Sequence, residues 1–334
     1  MKRTYWLAAV LAFLLAAFGS AETAAASTRS STRTIVAFDP DAGQLPEGVA
    51  VDNVGNVFVS LSPLGQLVRV APGAQAAEPF GAVSGLLEGD IGLIGLAVDA
   101  PGNVYGAVMS MNPQARGVWR FDRRTGSEVR VPGTENMVFP NSIAFDRRGT
   151  MYITDIVLGA VWRVRPGGVA ESWLVHPLLA GDGSGGFGVP LGANGIAVRQ
   201  GVVYVGVTET ALLVTIPVLK GGAPGEPAVY AELPLEYSVD GIALDVHGGV
   251  YVAAPGVNAV VRVNRDGSVD TLATAADGLD APTSVAFGTG KGHRQSLFAV
   301  NFSIAIAPPG GAGPSLVEIP VRIPGCPCQA GSRS

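Results

Sequence analysis

The sequence predicts an all-β fold, a six-bladed β-propeller of four-stranded antiparallel blades around a central channel. Three observations predict it. One segment pattern recurs six times at intervals of 43 to 53 residues, each copy holds four short β-rich runs split by turn residues, and the copies fill nearly all of the chain after an apolar N-terminal segment.

In chain order, Lys2 and Arg3 precede an apolar run over residues 6–18, and Gly19, Ser20 and Ala21 follow it. A charged start, an apolar stretch and small residues predict a secretory signal peptide over residues 1–21. The 13-residue run is shorter than the roughly 20 residues a membrane-spanning helix needs. Residues 22–32, rich in Ala, Ser and Thr, predict a disordered leader. The mature chain is therefore expected to be exported, secreted or periplasmic, with no membrane partner after cleavage.

The propeller is expected over residues 33–323 and a C-terminal tail over 324–334. The segment "RTIVAFD" at residues 33–39 resembles the outer strand of a blade but has no inner strands of its own, and the last copy lacks an outer strand. Pairing of the two is predicted to close the ring and remove a free sheet edge.

The six copies are "LPEGVAVDNVGNVFVS", "LIGLAVDAPGNVYGAV", "FPNSIAFDRRGTMYIT", "GANGIAVRQGVVYVGV", "SVDGIALDVHGGVYVA" and "APTSVAFGTGKGHRQSLFAV". In each, an apolar run, a tight turn and a second β-rich run read as two antiparallel strands, the turn in most copies carrying Asp and Gly. A third strand follows ("GQLVRVAPG", "GAVWRVRPGG") and then a less regular fourth ("AEPFGAV", "VDTLATA"). Asp52, Asp99, Asp146 and Asp245 sit in the first turn, where an Asx-type hydrogen bond to the backbone accounts for them better than catalysis does.

With 22 basic and 27 acidic residues and a net charge of -5, and with Lys and Arg scattered along the chain, no phosphate-binding stripe is present and nucleic acid is not an expected partner. Cys326 and Cys328 are the two cysteines; an oxidising compartment permits their disulfide, although so small a ring strains it. Two thiols with no nearby His make a poor zinc site.

Function is carried by the differences between copies. The innermost strand of each blade runs beside the axis, so equivalent positions form a ring facing the channel. Counted from the turn Asp, that position is Glu47, Ile94, Asn141, Asn194, Asp240 and Thr283. Four of the six are strong oxygen donors. Two carboxylates within about 4 Å repel by roughly 4 kcal/mol at an effective dielectric near 20, which a cation or a shared proton relieves. Oxygen donors without His or Cys favour a hard ion, and a mixed carboxylate and amide set suits Ca²⁺ better than Mg²⁺. The same four residues would also serve as strand-end caps or partners of channel water.

The ordered set "PEG" at Pro46, "PNS" at Pro140, "ANGIAV" at Ala193 and "VDGIALD" at Val239 resembles the metal-binding positions of the senescence marker protein, gluconolactonase and luciferin-regenerating enzyme family. Diisopropyl fluorophosphatase and the paraoxonases are similar six-bladed proteins. The resemblance implies a divalent ion, usually Ca²⁺, with Zn²⁺ or Mn²⁺ as alternatives, held by Glu47, Asn141, Asn194 and Asp240. It further implies hydrolysis of a small-molecule substrate, a sugar lactone or similar cyclic ester, with Asp240 as general base or nucleophile. The chain departs from those relatives in two ways. A paraoxonase-type histidine pair has no counterpart: His176 is expected on an outer strand, His247 in a turn and His293 in a loop. The Arg and acidic residues with which some sugar lactonases grip hydroxylated substrates are not identifiable either.

The longest interval, between Asn141 and Asn194, holds "HPLLAGDGSGGFGVPLGAN". Gly181, Gly183 and Gly186 match a dinucleotide fingerprint in spacing, but no βαβ unit surrounds them. A mobile loop over the channel mouth is the expectation. The sequon "NFS" at Asn301 falls at a predicted strand end and is read as incidental. A second reading of the whole chain is a non-catalytic propeller, similar to the NHL repeat group, that binds a protein or glycan; a lyase propeller is a third.

Overall fold

A computed structural model of the chain describes residues 32–186, 188–289, 293–303 and 312–326. The predicted signal peptide, leader residues 22–31 and Cys328 lie outside the described residues. The first strand is β1 (Arg33–Ala37). Blade 1 is β2 (Pro46–Val51), β3 (Val57–Leu61), β4 (Gln66–Val70) and β5 (Glu78–Ala82). Blade 2 is β6 (Gly92–Val98), β7 (Val104–Met109), β8 (Gly117–Phe121) and β9 (Glu128–Arg130). Blade 3 is β10 (Pro140–Phe145), β11 (Met151–Asp155), β12 (Ala160–Val164) and β13 (Glu171–Val175). Blade 4 is β14 (Ala193–Arg199), β15 (Val202–Val207), β16 (Leu212–Pro217) and β17 (Ala228–Glu232). Blade 5 is β18 (Ile242–Leu244), β19 (Val250–Ala254), β20 (Ala259–Val263) and β21 (Val269–Ala273). Blade 6 is β22 (Pro282–Phe287), β23 (Ser296–Asn301) and β24 (Ser315–Pro320), with β1 as its outer strand.

All six sheets are four-stranded and antiparallel, as the six copies predict. The N-terminal strand closes the ring: β1 pairs with β24 from Arg33 opposite Glu318 to Ala37 opposite Ser315. Among the described residues the helical segments are 3-10 turns of three residues, and no helix is long and apolar enough to cross a membrane.

The strands read as near-continuous apolar runs because the inner strands of each blade are covered on both faces by the neighbouring blades. β3, β11 and β19 are buried at every residue. The core is accordingly a set of layers between blades. One of them interleaves Ala50, Phe58 and Leu67 of blade 1 with Leu93, Val104 and Phe121 of blade 2. Burying a Leu or Phe side chain contributes about 1.5–3 kcal/mol, so these layers supply most of the force that holds the ring together.

The turn aspartates do what the sequence predicts. Asp52 Oδ1 accepts the N–H groups of Val54 and Asn56, Asp99 Oδ1 those of Gly102 and Asn103, and Asp146 Oδ1 those of Arg148 and Thr150. Asp245 Oδ1 accepts from His247 and Gly249, and its other oxygen receives two guanidinium N–H groups of Arg262 at 2.9 and 2.8 Å. At the chain's other end, residues 324–326 run against β18, with Val246 N–H donating to Pro324 O and Cys326 N–H to Leu244 O.

Candidate metal centre

Each ring position sits at a kink in its inner strand. The register of β2 on β3 slips between Pro46 and Val49, of β6 on β7 between Leu93 and Leu96, of β10 on β11 between Pro140 and Ile143, and of β14 on β15 between Ala193 and Ile196. In blade 5, Asp240 and Gly241 both face Ala253, Asp240 N–H donating to its oxygen and its N–H donating to Gly241 O. Such bulges turn a side chain out of the sheet's alternation. At these bulges Asp240 lies beside Glu47 and accepts from the Asn194 side chain, while Asn141 Oδ1 accepts from Ser142 Oγ at 3.0 Å.

Neighbouring blades also touch at or beside the ring positions, around the full circle. Thr283 Oγ1 donates to Glu47 O at 2.8 Å, Thr154 Oγ1 to Asn194 O at 2.6 Å and Gly241 N–H to Thr283 O at 2.8 Å. The remaining three contacts need a residue without a side chain. A Cβ on Gly48 would fall 2.3 Å from Ile94 O, one on Gly95 2.3 Å from Asn141 O, and one on Gly195 2.3 Å from Asp240 O. Glycine follows the ring residue because the next blade's carbonyl occupies the space a methyl would need.

The electrostatics of this ring are unbalanced. Asn141 and Asn194 are buried, and Glu47 Oε2 and Asn194 Oδ1 are buried without a hydrogen-bond partner. Burial, and then the charge of Asp240, push the Glu47 carboxyl well above the ordinary value. Burial raises Asp240 to about 7, against hydrogen bonds from the Asn194 side chain and the Gly241 backbone. Asn194 is itself held by Thr208: its Nδ2 donates to Thr208 Oγ1 at 3.0 Å, and Thr208 Oγ1 donates to Val239 O at 2.9 Å. The chain thus spends a fixed scaffold on leaving acceptors of two adjacent carboxyl-bearing and amide-bearing residues unmet, which costs stability unless a cation meets them. Among the described residues no three of His, Cys, Asp and Glu form a metal-holding group. The donor set here is two carboxylates and two amides, and it fits a hard ion.

Two residues on, every inner strand returns an aliphatic side chain to the axis: Val49, Leu96, Ile143, Ile196, Ile242 and Val285. They line a cavity of about 200 Å³ that extends away from the polar ring towards Asn53, Thr289 and Arg294. The ring therefore stands on an apolar floor, which lowers the local dielectric and strengthens each charge interaction above it.

Several residues at this end of the propeller were not singled out from the sequence. Asp155, the last residue of β11, is fully buried and accepts the N–H groups of Val138 and Phe139 at 2.7 and 3.1 Å, fixing the approach to Asn141. Asn301 holds the matching place in β23: it accepts from Asp280 N–H and donates to Gly278 O and Ser315 Oγ. Both ends of that buried amide are engaged, so the sequon is a structural asparagine. Glu209 follows Thr208 and clasps the glycine-rich loop, Oε2 accepting from Gly183 N–H at 2.7 Å and Oε1 from Gly185 N–H at 2.9 Å. The signal that could have found them is a polar residue ending an otherwise buried second strand, as in "YITD" and "GVTE".

The glycine-rich loop is thus tethered by a carboxylate. Glu209→Ala is expected to speed amide hydrogen exchange at Gly183 and Gly185 by more than tenfold, since hydrogen bonds to a charged group contribute about 1.5–3 kcal/mol each. Unchanged exchange at these two amides would show that the clasp does not hold the loop.

His176 departs from expectation. It lies one residue past β13, and its Nδ1 accepts Leu178 N–H at 3.2 Å, capping the turn Pro177–Leu179. His247 sits in the blade 5 turn, and His293 lies beside Glu318 with Nδ1 3.2 Å from Oε1. None of the three belongs to the axial ring.

With this geometry in place, comparison with known proteins is informative. Residues 191–298 match the family described as SMP-30/Gluconolactonase/LRE-like region. The matched segment includes Asn194, Asp240 and Thr283. Among solved structures, a gluconolactonase from Xanthomonas campestris is 16% identical, with 88% of this chain and 89% of that one covered and a TM-score of 0.64. A regucalcin from Agrobacterium tumefaciens, described as a calcium-binding protein, is 16% identical, with 89% and 96% covered and a TM-score of 0.65. A luciferin-regenerating enzyme is 13% identical, with 88% and 97% covered and a TM-score of 0.64. At these identities the likeness shows a shared propeller fold. No curated protein matches the chain.

Proposed function

We propose that the chain is an exported, metal-dependent hydrolase of the lactonase type. The observation that carries this reading is the pair of orphaned buried acceptors, Glu47 Oε2 and Asn194 Oδ1, in a ring that also presents Asp240. Glu47, Asn141, Asn194 and Asp240 would hold the ion, with Ca²⁺ the best match to oxygen donors and Zn²⁺ or Mn²⁺ as alternatives. A bound divalent ion supplies Lewis-acid polarisation of an ester carbonyl and stabilises charge developing on its oxygen.

The chain's own groups do the rest. Asp240 is oriented by the Asn194 side chain and the Gly241 N–H and would take a proton from attacking water. Asn141 positions substrate oxygen at the ring, and the aliphatic floor keeps bulk water from approaching from the other side. The neighbouring gluconolactonase and calcium-binding regucalcin agree with this reading in kind.

Calcium titration by calorimetry on the mature protein and on Asn141→Ala, with lactone hydrolysis assayed on the same samples, tests the proposal. Binding that weakens at least tenfold in the variant, with hydrolysis falling in parallel, is expected. Binding without turnover of any lactone would leave a metal-stabilised propeller. Absence of binding would favour the alternative, a non-catalytic propeller with a protein or glycan partner.

A further inference from the structure

The loops at the ring end of the propeller are those that lead into each inner strand and those that join second strands to third strands. Their residue content is lopsided. Arg116 is the single arginine there, His176 the single histidine, and no lysine occurs among the described residues of these loops. Every blade contributes a carboxylate, namely Asp41, Glu88, Glu135, Asp182, Glu236 and Asp277. Among the described residues the other arginines, and Lys220, lie on strands and at the opposite end, as with Arg123, Arg124, Arg147 and Arg148 in the turns of blades 2 and 3.

The same loops also expose large apolar side chains from several blades: Leu87, Ile91, Met111, Leu158, Val189 and Leu235, with Met111 67% and Leu235 68% exposed. Exposed apolar groups gathered at the mouth of a site mark a binding surface more than a random surface does. Three of the amide and hydroxyl side chains in these loops are engaged within the protein. Asn112 Nδ2 donates to Gly85 O, Asn136 Nδ2 to Gly133 O, and Thr208 bridges Asn194 and Val239.

We propose that this site selects neutral lactones or esters that carry an apolar alkyl or aryl substituent, and discriminates against anionic lactones. The inference rests on the hydrolase reading above and adds its substrate class. The physical grounds are two. A mouth ringed by carboxylates repels anionic substrates and raises the local concentration of cations such as Ca²⁺. Apolar rim residues reward a hydrocarbon substituent.

The test is kcat/KM for the calcium-loaded mature protein on a panel of unsubstituted, alkyl-substituted and carboxylate-bearing lactones of the same ring size. The expected result is a rise of up to about fourfold per added methylene while the chain is being buried, and at least a tenfold preference for the alkyl lactones over the anionic ones. Met111→Ser and Leu235→Ser are expected to raise KM for the long-chain lactone more than for the short-chain one. Equal rates on alkyl and unsubstituted lactones, or a preference for the anionic one, would overturn the substrate class while leaving the hydrolase reading intact. No metal-dependent turnover of any lactone would overturn both.

Discussion

Glu47→Gln is expected to abolish calcium binding while leaving the metal-free protein as stable as before, or more stable. Glu47 is raised as an acid by burial and by Asp240, so in the absence of a cation its ionised form is a burden on the fold. Gln keeps the volume and hydrogen-bonding capacity of the neutral acid and removes the charge. A ligand that binds only the native state adds about 2.7 kcal/mol at 100 times its dissociation constant, so the parent should gain that much in excess calcium and the variant nothing. The measurement is denaturant unfolding of both proteins in chelator and in calcium. A metal-free Glu47→Gln protein several kcal/mol less stable than its parent would mean that Glu47 is a structural residue. It would also remove the strongest reason for placing an ion at the axis.

The opposed signs of those two effects separate a functional ring from a structural one, and the ring was legible in the sequence for a definite reason. Six copies of one unit put a fixed offset between the turn aspartate and the axial position, so Glu47, Asn141, Asn194 and Asp240 could be aligned without any contact information. The closing role of residues 33–39 was legible by subtraction, since one copy lacked an outer strand. What could not be read was anything that depends on how blades meet. The carbonyl packed on Gly195 and the bridge from Thr283 to Glu47 join residues of different copies, and no periodicity within a copy encodes them. Asp155 and Glu209 act on loops before or beyond their own strands, so each looked like an ordinary strand terminus. Charge was hidden differently: successive turns alternate between the two ends of the propeller, so acidic and basic residues interleave along the chain and separate only in space.

Loss of β1 is expected to undo both the fold's closure and the axial ring. Ile35, Val36 and Phe38 are buried in one layer with Val49 and Val59 of blade 1 and with Phe298, Val300 and Leu316 of blade 6. The strand is the outer edge of blade 6 and the segment after it leads directly into blade 1, so its hydrogen bonds to β24 join the two ends of the ring. At about 1.5–3 kcal/mol per buried side chain, removing the three would cost on the order of 5–9 kcal/mol, an upper bound because the unfolded chain is itself partly compact. That is comparable to the whole stability of a typical domain, about 5–15 kcal/mol. Deletion through residue 38 would also bare the edge of β24, inviting aggregation. Arg33→Ala tests how little of this comes from the ion pair. Arg33 Nη2 lies 2.7 Å from Glu318, but its side chain is 56% exposed, and Ser296 Oγ still donates to Glu318; the expected cost is below about 1 kcal/mol. Ile35→Ser and Val36→Ser, which keep the strand's backbone pairing, should each lower the unfolding midpoint clearly and weaken calcium binding, because Thr283 and Glu47 meet across the same seam. If the truncated chain unfolds at the parent's denaturant concentration and binds calcium unchanged, closure by β1 is not what holds the ring.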